Sequence, residues 1–347
     1  MLREYLISEA MAALRLPTTR SLAVVTTGER ILREQGPLPG AVLARVAASH
    51  IRVGTFQFFS ARGETDKLRT LTDYTLARHY PQAEGAMGLF EAVAEAQASL
   101  IAEWMGLGFV HGVMNTDNMA LSGETIDYGP CAFMEAYDPA TVFSSIDRQG
   151  RYAYGNQPGI MGWNLARLAE ALLPLIDANP ERAVDLANAA LERVMPRYEQ
   201  AHLAVMRRKL GLLGEDAGDA ALVEDFLSAI AGVDWTLAFR RLAGALADEA
   251  GYLALFDAPE DVQDWLARWR VRVAPGAEVR LLAANPAVIP RNHLVEAALD
   301  AAEDGDLAPF TAILAAVQDP FGPEAGREGF VLPAPKGFGS YVTYCGT

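Results

Sequence analysis

The sequence predicts an α+β fold, with strands confined to the first portion and helices dominating the rest. Up to Tyr154, β-branched runs and short apolar pairs alternate with helical stretches. Beyond Tyr154 one helical pattern follows another: LARLAEALLPLI, ERAVDLANAALERVMPRYEQAHLAVMRRKL, LVEDFLSAIAGV, LAFRRLAGALAD and VQDWLARW, separated by Gly, Asp and Pro breaks. A length of 347 residues suits about two domains and a large core. No repeat of fixed period and no low-complexity tract interrupts the pattern.

Taken in order, residues 1–15 read as an amphipathic helix ended by Pro17. Leu2, Leu6, Ala10 and Leu14 keep helical spacing from the second residue, with no cap before them, which suits either a short N-terminal helix or a chain that opens inside a larger domain. Ser21–Thr27 (SLAVVTT) reads as a strand closed by Gly28, and Gly40–Ala47 as a second extended run after a Gly/Pro-rich turn. HIRVGTFQFF is expected to continue extended or to form a linker. Residues 66–80 and 87–107 read as helices, the second with Leu89, Val93, Leu100 and Trp104 on one face and Gly106 and Gly108 at its end. GFVHGVMNTDNMALSGETIDYGP has another texture, short apolar pairs between turn residues, which suits short strands joined by functional loops. The tail, LPAPKGFGSYVTYCGT, reads as irregular.

Composition narrows the function. The net charge of −15 argues against a protein that holds nucleic acid by neutralising phosphates. Arg3, Glu4 and Glu9 break any apolar signal-peptide core, and no stretch approaches the ~20 apolar residues of a spanning helix. Two cysteines far apart, Cys131 and Cys345, make neither a disulfide framework nor a four-thiolate zinc site. The expectation is a cytoplasmic protein without membrane or nucleic-acid partners.

The chemistry concentrates in two adjacent loops. His111 and Asn118 are seven positions apart, and Asp127-Tyr128-Gly129 follows. An Asn and an Asp at the ends of short strands can share one Mg²⁺, which takes hard oxygen ligands and leaves its other positions to water or phosphate. Protein kinases hold their metals this way, with His-x-Asp, four residues, Asn, and then Asp-Phe-Gly. Here Val113 stands where the kinase base would be, and a valine accepts no proton. Asp117 is the local carboxylate able to replace it. Any one of these residues alone would be read as a turn former satisfied by its own backbone. The full set of interval, preceding helix and strand punctuation favours a metal site.

HGVMNTDNM followed by TIDYGP resembles the signature of the selenoprotein O family. REYLISEAM, PTTRSLAVVTTGE, SHIRVGTF, RQGRYAYGNQP and the terminal YCGT agree, so the likeness spreads over nearly the whole chain. It implies a protein-kinase-like fold: a truncated N-lobe over residues 1–60, a catalytic C-lobe core over 61–160, and a mainly helical extension over 161–347. It also implies protein adenylylation, in which ATP binds in a flipped orientation and AMP passes to a Ser, Thr or Tyr hydroxyl of a protein. By the same resemblance Asp117 is the proton acceptor, Asn118 and Asp127 hold Mg²⁺ (Mn²⁺ as the alternative ion), and Arg45 and Arg52 hold the inverted nucleotide. Guanidinium forks suit phosphate oxygens.

Glu4 matches the helix glutamate that pairs with a nucleotide-binding lysine in such folds. That lysine and the glycine-rich loop have no counterpart in the sequence, which is expected to be a fragment, with a natural short form that finds a substitute as the alternative. Cys345 matches a redox-active position of the family, with Cys131 as its sole candidate partner and two free thiols as the alternative. A catalytically inactive scaffold and an ordinary phosphotransferase remain the rival functions. Elsewhere the signals are plain: His50, His79, His202 and His293 lack zinc spacing, His111 supports its loop, and Trp235, Trp265 and Trp269 anchor helices. Asn285-Pro286 and Arg291-Asn292 match a further family block, for which capping or packing is expected.

Overall fold

A computed structural model describes residues 1–33 and 36–344; Cys345 lies outside the described residues. The fold is α+β, with helices dominating. Helix α1 (Leu2–Ala13) buries two neighbouring stripes. Ile7 and Met11 enter the main core. Leu6 and Ala10 enter a smaller one, shared with the helices Asn292–Glu303 and Ala308–Val317.

Strands β1 (Arg20–Arg33) and β2 (Gly36–Val46) form an antiparallel hairpin, with Arg20 opposite Val46 and Val25 opposite Val42. The expected stop of β1 at Gly28 does not occur. A register irregularity between Thr26 and Arg30 accommodates Gly28 at φ 78°, and pairing resumes at Arg30 opposite Pro39.

HIRVGTFQFF also departs from expectation, because it contains helix α2 (Val53–Ser60). Its aromatic and β-branched residues favour a strand locally, yet Val53 and Phe56 are buried in the main core and the Thr55 hydroxyl accepts the Arg52 N–H at 3.1 Å. Packing and a cap override propensity.

Helices α3 (Thr65–His79) and α4 (Gly85–Leu107) lie where the apolar spacing puts them. Leu89, Phe90, Val93, Leu100, Ile101 and Trp104 make α4 the axis of the core. Gly108, left-handed at φ 69°, terminates it, whereas Gly106 lies inside the helix and packs against Val205. The chain then forms β3 (Phe109–Val110) and β4 (Ala132–Phe133), an antiparallel pair with Phe109 opposite Phe133. Both candidate loops lie between these two short strands.

Helices α5 (Gln157–Ile176), α6 (Pro180–Leu191), α7 (Val194–Lys209) and α8 (Asp219–Ala229) follow, then further helices to Val331. α4 packs on α5 and α7, and α2 packs on α5. The main core extends from Ile7 to Ile289, across residues 60 and 160. Trp235, Trp265 and Trp269 are buried in it, the last two stacked at 5.7 Å. Asn285 accepts from the buried Lys209 ammonium at 2.8 Å, and the fully buried Arg291 is paired with Asp234 at 2.6 Å, so that block serves packing. No described helix is long and apolar enough to cross a membrane.

Candidate active site

His111 ties the two loops together. Its imidazole is fully buried, and Nε2 donates to the Ile126 carbonyl at 2.9 Å. Nδ1 faces the Val113 N–H at 3.4 Å, which sets the tautomer, and burial lowers the ring's affinity for a proton. Trp104 packs on the ring at 5.2 Å. The next residue, Gly112, sits at φ 84°, where a Cβ would strike the Pro130 carbonyl. Only glycine fits that turn, which brings the first loop against the start of the segment after Gly129.

The first loop is held from α5. Gln157 accepts the His111 N–H at 3.0 Å and donates to the Phe109 carbonyl at 2.9 Å, while Asn164 donates to the Met114 carbonyl at 2.9 Å. The loop ends in a single 3-10 turn, Thr116–Asn118, capped by the Asn115 side chain on the Asp117 N–H at 3.0 Å. The Asn118 amide donates to the Val113 carbonyl at 2.9 Å, which leaves its carbonyl oxygen as the ligand-type atom. Asp117 is exposed and its carboxylate overlies Gly54 at the start of α2. Backbone bonds from Val53 to Met119 and from Leu121 to Ile51 clip α2 to this loop.

The second loop is anchored to the chain before β1: Thr125 N–H donates to the Pro17 carbonyl and Thr19 N–H to the Thr125 carbonyl, both at 3.0 Å. Trp104 donates to the Thr125 hydroxyl at 2.9 Å. Asp127 adopts a left-handed backbone, φ 68°, which Asp tolerates better than most residues. Tyr128 is buried, its hydroxyl on that of Thr18, and burial pushes the phenol well above its ordinary range.

Glu4 joins this loop to the hairpin. One carboxylate oxygen accepts the Tyr128 N–H and the other accepts from Arg45, each at 2.6 Å. The Glu4 partner is thus an arginine of β2. The Nε atoms of Arg45 and Arg52 are buried without a hydrogen-bond partner. Such orphans are unfavourable, and anionic oxygens would satisfy them. Oxygen donors at Asn118 and Asp127 suit a hard cation that keeps water and phosphate in its remaining positions. Among the described residues no group of three or more His, Cys, Asp or Glu is arranged to hold a metal, and no hydrogen bond links Asn118 to Asp127. Cys131 is buried, and burial pushes its thiol well above the ordinary range.

The structure therefore bonds Glu4 to Arg45 and to the 127–128 turn, clips Arg52 and the start of α2 to the chain just after Asp117 and Asn118, and ties the two loops through His111. Sequence reasoning missed Gly54, Gln157 and Asn164. Gln157 lies in the RQGRYAYGNQP block, whose agreement with the family and whose glycine- and polar-rich texture were the signals for it.

Guanidinium groups, side-chain oxygens on adjacent loops and an exposed carboxylate are the kinds of group that nucleotidyl- and phosphoryl-transfer enzymes use. The sequence model of the family described as protein adenylyltransferase SelO matches residues 1–318. The chain belongs to that family, and so to the nucleotidyltransferases. Its relatives include a protein nucleotidyltransferase YdiU of Cereibacter sphaeroides, 62% identical over all of this chain and 74% of the relative. Those of Rhizobium leguminosarum bv. trifolii and Chromobacterium violaceum are 54% and 55% identical, again over the whole chain and over 72% and 76% of the relatives.

Proposed function

We propose that this chain carries the reaction centre for Mg²⁺-dependent transfer of AMP from ATP to Ser, Thr or Tyr hydroxyls of proteins, on a kinase-like scaffold with the lobes expected from the sequence. The supporting observation is the pair of loops tied by His111, which holds Asn118 and Asp127 at the loop ends and leaves Asp117 exposed. The acceptor oxygen attacks the α-phosphorus, the bond from that phosphorus to the oxygen bridging to the β-phosphate breaks, and pyrophosphate leaves. The Asp117 carboxylate takes the hydroxyl proton. Arg45 and Arg52 hold the phosphate oxygens through their unpaired Nε groups. Asn118 and Asp127 would hold Mg²⁺, which supplies charge neutralisation at the phosphates.

Phosphotransfer is disfavoured by Val113 at the position of the kinase base and by the nucleotidyltransferase relatives. ATP labelled at the α- or the γ-phosphate separates the two reactions. The α label is expected on an acceptor protein and is lost in Asp127→Ala; γ-label transfer, or α-label transfer retained in that variant, overturns the assignment. A thermal shift provides the binding readout, because a ligand at about a hundredfold excess over its dissociation constant stabilises the native state by ~2.7 kcal/mol. The Mg²⁺- and ATP-dependent shift should vanish in Asp127→Ala.

A further inference from the structure

Four of the five tryptophans are at most 1% exposed, whereas Trp163 of α5 is 38% exposed. Two guanidiniums lie over its ring: Arg151 at 4.7 Å and Arg167 at 5.4 Å from the centroid. Trp163 is next to Asn164, whose amide holds the Met114 carbonyl of the Asp117 loop. Helix α2, whose Gly54 lies beneath Asp117, packs on α5 and presents a second stack of the same kind: Phe58, half exposed, with the Arg62 guanidinium 3.5 Å above its ring. Both helices that flank the Asp117 loop therefore display an exposed aromatic ring beneath arginine.

The charges matter because carboxylates outnumber basic residues 44 to 29 in this chain, and most of its arginines are in ion pairs. Arg62, Arg148 and Arg151 are exposed and, among the described residues, have no carboxylate within ion-pair distance. Two carboxylates are nearby. Glu170 pairs with Arg167 at 2.6 Å, and the Asp147 carboxylate is occupied by the N–H groups of Arg151 and Tyr152. The Arg167 Nε remains buried without a partner. An aromatic platform with unpaired guanidiniums binds carboxylate-bearing chains through ion pairs, and their aromatic residues through stacking.

We propose that this platform, centred on Arg151 and Trp163, docks the acceptor protein through an acidic segment beside its target hydroxyl. The inference rests on the AMP-transfer reading and names the chemistry of the acceptor. Its mirror, a basic acceptor segment, is disfavoured by the arginines and is one outcome of the test.

The probes are fluorescein-labelled glutamate–tyrosine and lysine–tyrosine copolymers, with binding followed by anisotropy. The wild-type chain is expected to bind the glutamate copolymer, more weakly as salt rises. Arg151→Glu should weaken that binding roughly tenfold or more, with thermal stability and ATP binding unchanged. Arg151→Lys should retain part of it, and Trp163→Ala should lower it with an intact melting curve. In transfer assays the KM for the glutamate copolymer should rise in Arg151→Glu while the KM for ATP stays constant. Undiminished copolymer binding in Arg151→Glu, no binding by the wild type, or equal binding of the lysine copolymer overturns the proposal. Absence of α-label transfer alongside Arg151-dependent copolymer binding would instead overturn the AMP-transfer reading.

Discussion

Gly54 supports the Asp117 carboxylate: a methyl group at position 54 would overlap Asp117 Oδ1. The backbone of Gly54 lies in α2 and imposes no left-handed requirement, so alanine is conformationally acceptable there and even raises helix propensity. Gly54→Ala should therefore fold at least as stably as the wild type while pushing Asp117 aside. A displacement of about 1 Å at a reacting group can cost on the order of 10²-fold in rate. The rate of α-label transfer should fall by about that factor, with little change in melting temperature. Gly159→Ala, in open space on α5, serves as control and should leave the rate unaltered.

Glu4 has two tasks, and its removal should abolish both. Its side chain is only 9% exposed and accepts from both the Tyr128 N–H and Arg45. Glu4→Ala leaves a buried N–H without a partner, which costs about 1–3 kcal/mol. Urea unfolding should show that loss as a lower midpoint at unchanged slope. Glu4→Gln keeps one acceptor oxygen and should recover part of the stability.

Much of this site is legible in the sequence because its key spacings are local. The interval from His111 to Asn118 and the Asp127 turn lie on one short stretch, between a long amphipathic helix and strand-like pairs. The remainder depends on contacts far apart in the chain. Glu4 and Arg45 are separated by 41 positions, and Asn164 reaches Met114 across 50. Helix α2 is hidden for another reason: VGTFQFF has strand-like composition, and burial of Val53 and Phe56 together with the Thr55 cap makes it helical. Likewise Gly106 reads as a terminator until Val205 of α7 explains why it must be small.

Acid should destabilise the fold through His202. Its ring stacks on Tyr198 at 5.6 Å, and burial pushes its pKa down from the ordinary value to about 4. Below pH ~6.5 the unfolded chain takes up a proton there that the folded chain refuses, so stability falls as pH drops. Between pH ~6.5 and ~5 the loss is on the order of 2 kcal/mol, at about 1.36 kcal/mol per pH unit. His202→Phe retains an aromatic ring for the stack and cannot titrate. Its melting temperature should fall less than that of the wild type between those pH values; identical losses would assign the acid sensitivity to other groups.

Arg291 closes the chain's far side onto its middle. The guanidinium is fully buried and donates to both carboxylate oxygens of Asp234, at 2.6 and 3.2 Å, and to the Val331 carbonyl at 2.7 Å. Asp234 also caps the helix Trp235–Arg240 through the Leu237 N–H at 2.8 Å. Arg291→Met removes one charge of a buried pair and leaves the other behind, a change that costs about 3–5 kcal/mol. Asp234→Asn retains a capping oxygen and leaves the guanidinium with the Glu135 carboxylate at 3.8 Å and the Val331 carbonyl, so it should cost less. In the double variant Arg291→Met/Asp234→Asn neither charge remains, so the loss should be well below the sum of the two. Chemical denaturation of the four proteins measures that coupling, and strict additivity would show that the pair contributes nothing as a pair.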